Sequence, residues 1–373
     1  MAQDFAQLFA QALQQRAPIE LSLRAEDTNA WRLFHGSIEG YPGFTVDRYG
    51  CYLLAMLFRG ELPYGAVETL SEYARAQGLY LVIWARRERG NSQIIYSELP
   101  QDETASSTCR KTETASSTCR EDKTASSTCR ECETAPATRR DDEKAPSTCR
   151  EQGQLFAVSP ETAGKDPYLF LDFRAGRRWL RQNAAENQRV LNLFAYTCTA
   201  GVAASVRGAQ ITNVDFARRN LEIGRRNAQL NDLSSKRFRI WQEDVFPIIR
   251  QLAGLGVRGR AAQRQYMRVE PSQFDIIVLD PPTVANSPFG KVDLRGDYPS
   301  LLKPCLLSLK PGGKILATNH HSEVTWSEWA AVLCRTCEKC NLGTPGLERI
   351  YPDADFPTSD GEQPLKMAVL SLP

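Results

Sequence analysis

Two stretches carry side chains whose type and spacing could do chemistry. In "FDIIVLDPPT", residues 274–283, an apolar run ends in Asp280, Pro281, Pro282 and Thr283. In "KILATNHHSEV", residues 314–324, another apolar run ends in Asn319, His320 and His321, two of the chain's three histidines standing side by side. A catalytic base, a metal site and a plain polar strand end all suit such a placement. Pro281 and Pro282 fix their own φ and lack N–H donors, so a rigid turn aims Asp280 and the nearby carbonyls at a substrate. Three more polar residues end apolar runs upstream: Thr197, Asp215 and Asp244. Asp215 can accept hydrogen bonds from ribose hydroxyls, and Asp244 suits an adenine amine.

These residues need elements to position them. From residue 186 the pattern alternates strand and helix: "RVLNLFAY", "VAASVRGA", "QITNVDF", "ARRNLEIGRRNAQLN", "FRIWQEDV", "FPIIRQLA", "FDIIVLDPPT". Such alternation predicts a mostly parallel sheet with helices on both faces. Ligands bind outside the carboxyl ends of the strands in such sheets. Thr197, Asp215, Asp244, Asp280 and the stretch from Asn319 to Ser322 therefore line one crevice. The first turn, "YTCTAG", holds Gly201 alone. It lacks the G-x-G-x-x-G of a dinucleotide site, and it is no P-loop.

The rest of the chain bounds the answer. Its 373 residues suffice for two domains. Hydrophobic content of 42% and charged content of 24% are ordinary for a soluble globular protein. A net charge of +2 excludes neither nucleic acid nor a small molecule. No apolar run approaches the ~18 residues of a membrane span. Phe5, Leu8, Phe9, Ala12 and Leu13 fall at helical spacing, so the first segment reads as an amphipathic helix, stopped by Pro18, and not as a signal peptide. Eleven cysteines, an odd number without an export signal, predict free thiols in the cytoplasm. The spacing of Cys334, Cys337 and Cys340 fits one packed face of a helix, and no metal site is predicted. Residues 103–152 are five decapeptides such as "ETASSTCRED", almost without large apolar side chains. That composition predicts a disordered insertion. A basic run with Arg258, Arg260, Arg264 and Arg268 could grip phosphates.

Taken together, "VLNLFAYTCTAG", "NVDFARRNLEIGRRNAQLN", "QEDVF" and "DIIVLDPPTVANS" resemble the class I S-adenosylmethionine-dependent methyltransferases that modify bases of large-subunit ribosomal RNA. "YLFLDFRAGRRWL" and "RLFHGSIEGYPGFTVDRYG" extend the likeness to the segments before the catalytic domain. The resemblance implies a Rossmann-like doubly wound α/β sheet with a smaller N-terminal α+β domain. It implies S-adenosyl-L-methionine as cofactor, RNA as partner and a part in ribosomal RNA processing. Phe194, Tyr196 and Thr197 would then shape the methionine side of the pocket, with Asp215 at the ribose and Asp244 at the adenine. Asp172 and Arg174 would border the cofactor, while Asp280, Pro281, Pro282 and Thr283 would face the target base. Asn319 and His320 stand at the substrate side. Cys198 occupies a position where the family usually has glycine, Phe173 replaces a usual glutamine, and no PUA domain is recognisable. The expected organisation is an α+β domain over 1–102, the insertion over 103–152, a hairpin lead-in over 153–185 and the methyltransferase domain over 186–373.

The histidines bear on the reaction. Cytosine C5 is not nucleophilic, and enzymes that methylate it first add a cysteine to C6. In the cytosine-5 relatives that cysteine lies at the position of His320. The guanine-N7 relatives look closer, with stretches like "DPPTVANS" and "TNHH". A ring nitrogen with a lone pair needs no covalent activation, and histidines could orient the base. The expected enzyme methylates a ribosomal RNA base at guanine N7 ahead of cytosine C5. Its rivals are a methyltransferase of a small molecule or protein, and a cofactor-binding protein without activity.

Overall fold

Strand and helix follow from where the apolar side chains fall. The computed structural model describes residues 4–86, 92–98, 147–160, 167–257, 262–287 and 289–372. The N-terminal part is a helix α1 (Phe5–Ala25), strands β1 (Ala30–Phe34), β2 (Phe44–Tyr49) and β3 (Tyr52–Leu57), helix α2 (Ala66–Ala76), and strands β4 (Tyr80–Arg86) and β5 (Ser92–Glu98). The five strands form one sheet in chain order, parallel between β3 and β4 and antiparallel elsewhere. Phe5, Phe9 and Leu70 from the helices pack with Leu33, Phe44 and Leu81 of this sheet. Helix α1 runs through Pro18, against expectation. Buried Ala12 and Arg16 before the proline and Leu23 after it hold both halves in place, and Arg16 pairs with Glu39 at 2.6 Å. Tertiary packing here outweighs the ~3 kcal/mol that a mid-helix proline costs.

Strands β6 (Ser147–Glu151) and β7 (Gln154–Val158) make a hairpin that leads to helix α3 (Arg174–Asn183). The hairpin begins inside the fifth decapeptide. Its Cys149 and Glu151 are buried, so the expected disordered insertion over 103–152 does not extend to its tail. Arg177 explains the difference: it grips Glu151 through two bonds of 2.7 and 2.6 Å. The rest of the repeat lies outside the described residues, as do Arg258 and Arg260.

The C-terminal part continues with β8 (Arg189–Leu193), α4 (Thr199–Ser205), β9 (Gln210–Asp215), α5 (Arg218–Leu230), β10 (Phe238–Gln242), α6 (Val245–Leu252) and β11 (Phe274–Leu279). A small hairpin, β12 (Val284–Ser287) and β13 (Gly290–Asp293), precedes α7 (Tyr298–Leu307), β14 (Leu309–Asn319), α8 (Trp326–Lys339), β15 (Gly346–Ile350) and β16 (Lys366–Ser371). Seven strands form one sheet in the order β10-β9-β8-β11-β14-β16-β15. The strands from β10 to β14 are parallel, and β16 is antiparallel to both neighbours. Alternate side chains point to opposite faces. Val190, Ile211 and Val278 pack with Leu180, Val202 and Leu221 of α3 to α5. Leu191, Val214 and Ile277 pack with Ile248, Leu302 and Leu333 of α6 to α8. This is the Rossmann-like doubly wound sheet. Strand order reverses between β8 and β11, which puts the ligand crevice at their carboxyl ends. Among the described residues no helix is long and apolar enough to cross a membrane.

Candidate active site

The turn after β8 is built from left-handed residues. Phe194, Tyr196 and Cys198 have φ of 56°, 49° and 60°. Asp215, at the end of β9, holds this turn: its Oδ2 accepts from the Tyr196 amide at 2.8 Å, and its Oδ1 accepts from Ala217 at 2.8 Å. Burial pushes the Asp215 carboxyl up, and the amides that it accepts pull against that shift. Cys198 adopts a conformation that favours glycine. Its thiol is fully buried. A Cβ on Gly224 of α5 would lie 2.6 Å from its Sγ, so the side chain points into the helix packing and not into the crevice. Gly201 is required for a like reason: a Cβ there would fall 2.2 Å from Asn213 Oδ1.

Asp244 caps α6, its Oδ1 accepting from the Phe246 amide at 2.9 Å. Its Oδ2 is buried without a hydrogen-bond partner among the described residues. The Ser287 hydroxyl acts on this carboxylate without meeting the geometry of a full bond to Oδ2. Burial pushes the Asp244 carboxyl up, and Ser287 and Phe246 oppose it.

A second group forms where β11 and β14 end. Asp280 Oδ1 accepts from the Thr318 hydroxyl and lies 2.8 Å from His320 Nε2. A carboxylate only accepts, so His320 carries its proton on Nε2. Burial lowers the His320 pKa, but the bond to Asp280 and the charges of Asp280 and Asp172 outweigh it, so the ring titrates above its ordinary value. Burial pushes the Asp172 carboxyl up, against the pull of His320 and Arg32.

The structure thus gathers Asp172, Asp280 and His320 into one cluster, with Phe194, Tyr196, Asp215 and Asp244 along the neighbouring strand ends. Pro282 and Thr283 are exposed beside the cluster and Pro281 is buried. Three further residues expected at the site are enclosed in this structure. Arg174 is fully buried, with its guanidinium bonded to Asp353, Asp355 and the Ala30 carbonyl, and so braces the fold. Thr197 is fully buried too, donating to the Tyr168 carbonyl at 2.7 Å while its own carbonyl accepts from Asn227. Asn319 is enclosed and accepts from the His321 amide. Thr318 was missed, although it stands two residues before His320 and strand periodicity puts the two on one face.

Residues 151–370 match the model of a family described as S-adenosylmethionine-dependent methyltransferase. The chain is 36% identical over 158 residues to the "Ribosomal RNA large subunit methyltransferase K/L" of Pseudoalteromonas translucida (strain TAC 125), covering 42% of this chain and 20% of that protein. It is 33% identical over 183 residues to the protein of the same name from Psychrobacter sp. (strain PRwf-1), covering 48% and 20%. It therefore spans about a fifth of the length of these relatives. Two solved structures share the fold. One is SMU.776 complexed with SAH (TM-score 0.68, 22% identity, 99% of this chain and 81% of that one). The other is the SAM-dependent methyltransferase from Agrobacterium tumefaciens (TM-score 0.58, 17% identity, 92% and 89%). With the family model matching more than half of its length, the chain belongs to the S-adenosylmethionine-dependent methyltransferases.

Proposed function

We propose that this methyltransferase modifies a base of ribosomal RNA, at guanine N7 ahead of cytosine C5. The residues fit the cofactor of the family. Asp244 Oδ2 is a buried acceptor without a full hydrogen bond among the described residues, with the Ser287 hydroxyl nearby, which suits an adenine amine. Asp215 retains lone pairs beyond its two amide bonds for ribose hydroxyls. Phe194 and Tyr196 flank the methionine side in this reading, and Asp280, Pro282 and Thr283 face the target base. When bound, S-adenosylmethionine supplies an electrophilic methyl group.

One observation carries the choice of a ring nitrogen. The side chain paired with Asp280 is an imidazole, and among the described residues Cys198 and Cys305, the two thiols considered for a nucleophile's role, are enclosed. Cys198 and Cys305 are fully buried, and burial pushes both thiols far up, away from the thiolate that attack requires. Guanine N7 offers a lone pair directly and becomes positively charged on methylation. Asp280 and Asp172 supply negative charge where that cation develops, in a partly dry site where such charge counts most. His320 and Thr318 hold the Asp280 carboxylate in one orientation. The relatives named as ribosomal RNA methyltransferases support the choice of RNA.

Single-turnover methyl transfer tests this arrangement. His320→Ala is expected to slow the transfer about 10–100-fold without abolishing it, the size of a lost orienting contact. RNA containing 5-fluorocytosine is expected to form no covalent adduct with the protein. A trapped adduct would show that a thiol acts as nucleophile and would overturn the reading.

A further inference from the structure

We propose that the cleft between the five-stranded sheet and the strand-end crevice takes the target base out of its stack, and that His35 reads a carbonyl on that base's edge. The inference rests on the RNA reading above. The cleft measures about 460 Å³, and its walls include Arg32, His35, Trp84, Phe170, Asp172 and Phe356. That volume lies within the roughly 300–1,000 Å³ of small-molecule sites.

Two walls connect the cleft to the methyl-transfer site. Asp172 feels the charges of His320 and Asp280. The ring of Phe170 lies 5.4 Å from that of Tyr196, whose amide is bonded to Asp215. A base held here would thus border both the carboxylate cluster and the turn after β8. The walls are also flat, as unstacked bases require. The Arg32 guanidinium lies 4.5 Å over the ring of Phe356 and is held there by Asp47 through bonds of 2.7 and 2.9 Å. Aromatic rings and guanidinium planes are the surfaces on which splayed bases stack.

The tautomer of His35 gives the cleft its chemical preference. Its Nδ1 lies 3.0 Å from Arg32 Nη1. A guanidinium has donors only, so Nδ1 accepts and the proton resides on Nε2. The ring is half-buried. Burial, with the charges of Arg32 and Arg16, lowers its pKa to about 4 and keeps it neutral at physiological pH. An N–H donor at this wall matches O6 of guanine and rejects the amine that adenine carries in its place.

The test measures methyl transfer to total RNA from cells lacking the gene, with cofactor affinity read separately by calorimetry. His35→Ala is expected to raise KM for RNA about tenfold, with cofactor Kd unchanged, and His35→Gln to restore most of the loss. Phe58→Ala removes a cleft wall that is 46% exposed, and is expected to raise KM in the same direction without a folding defect. RNA methylation with KM unchanged in both alanine variants overturns the cleft assignment and leaves the functional reading standing. If the wild-type protein methylates no RNA, both fall.

Discussion

His320 keeps its proton against burial because Asp280 and Asp172 face it. With three histidines in the chain, an imidazole NMR titration can follow each. His320 is expected to titrate above the ordinary histidine value, and Asp280→Asn to bring it down. His35 is expected to titrate near 4. Because the folded pKa of His320 is raised, its contribution to stability is complete below the unfolded value and is lost as pH rises through the folded one. Activity should move the opposite way, rising as His320 loses the proton that offsets the Asp280 charge. A His320 pKa unaffected by Asp280→Asn would break the pair. In the sequence Asp215, Asp244, Asp280 and His320 stand out because each ends an apolar run, and the structure sets them at neighbouring strand ends. The sequence hid His35, whose tautomer depends on Arg32 and whose place beside the site depends on how the two sheets meet. It also hid the enclosure of Arg174, Thr197 and Asn319, since polar side chains at turns look alike whether they face a ligand or a carbonyl.

The hairpin of β6 and β7 shows what an element needs beyond composition. Its first strand, "STCRE", reads like the rest of the decapeptides. What orders it is a partner strand with Phe156 and Val158 buried, and the grip of Arg177 on Glu151. Both side chains of that pair are almost wholly buried, at 1% and 3% exposure. Glu151→Gln leaves a buried guanidinium without its counter-charge, and should cost about 3–5 kcal/mol in denaturant unfolding. Unchanged stability would show that the pair does not hold the hairpin. The parallel strands were legible because full burial leaves a continuous apolar run. The continuation of α1 through Pro18 was not, because packing on both sides of the proline overrides a local rule.

Across the whole molecule, α3 joins the two sheets. Arg174 bonds the Ala30 carbonyl of β1 and Asp355 of the loop between β15 and β16, while the Arg32 amide donates to the same Asp355 at 3.0 Å. This brings the five-stranded sheet to the edge of the crevice and creates the shared cleft. The proposed function has such a site methylate a guanine ring nitrogen in ribosomal RNA. Its most direct measurement is transfer of a labelled methyl group from S-adenosylmethionine to RNA of cells lacking the gene, followed by nucleoside analysis. The label is expected in 7-methylguanosine. Label in 5-methylcytidine would show that the enzyme acts on cytosine C5 and not on guanine N7.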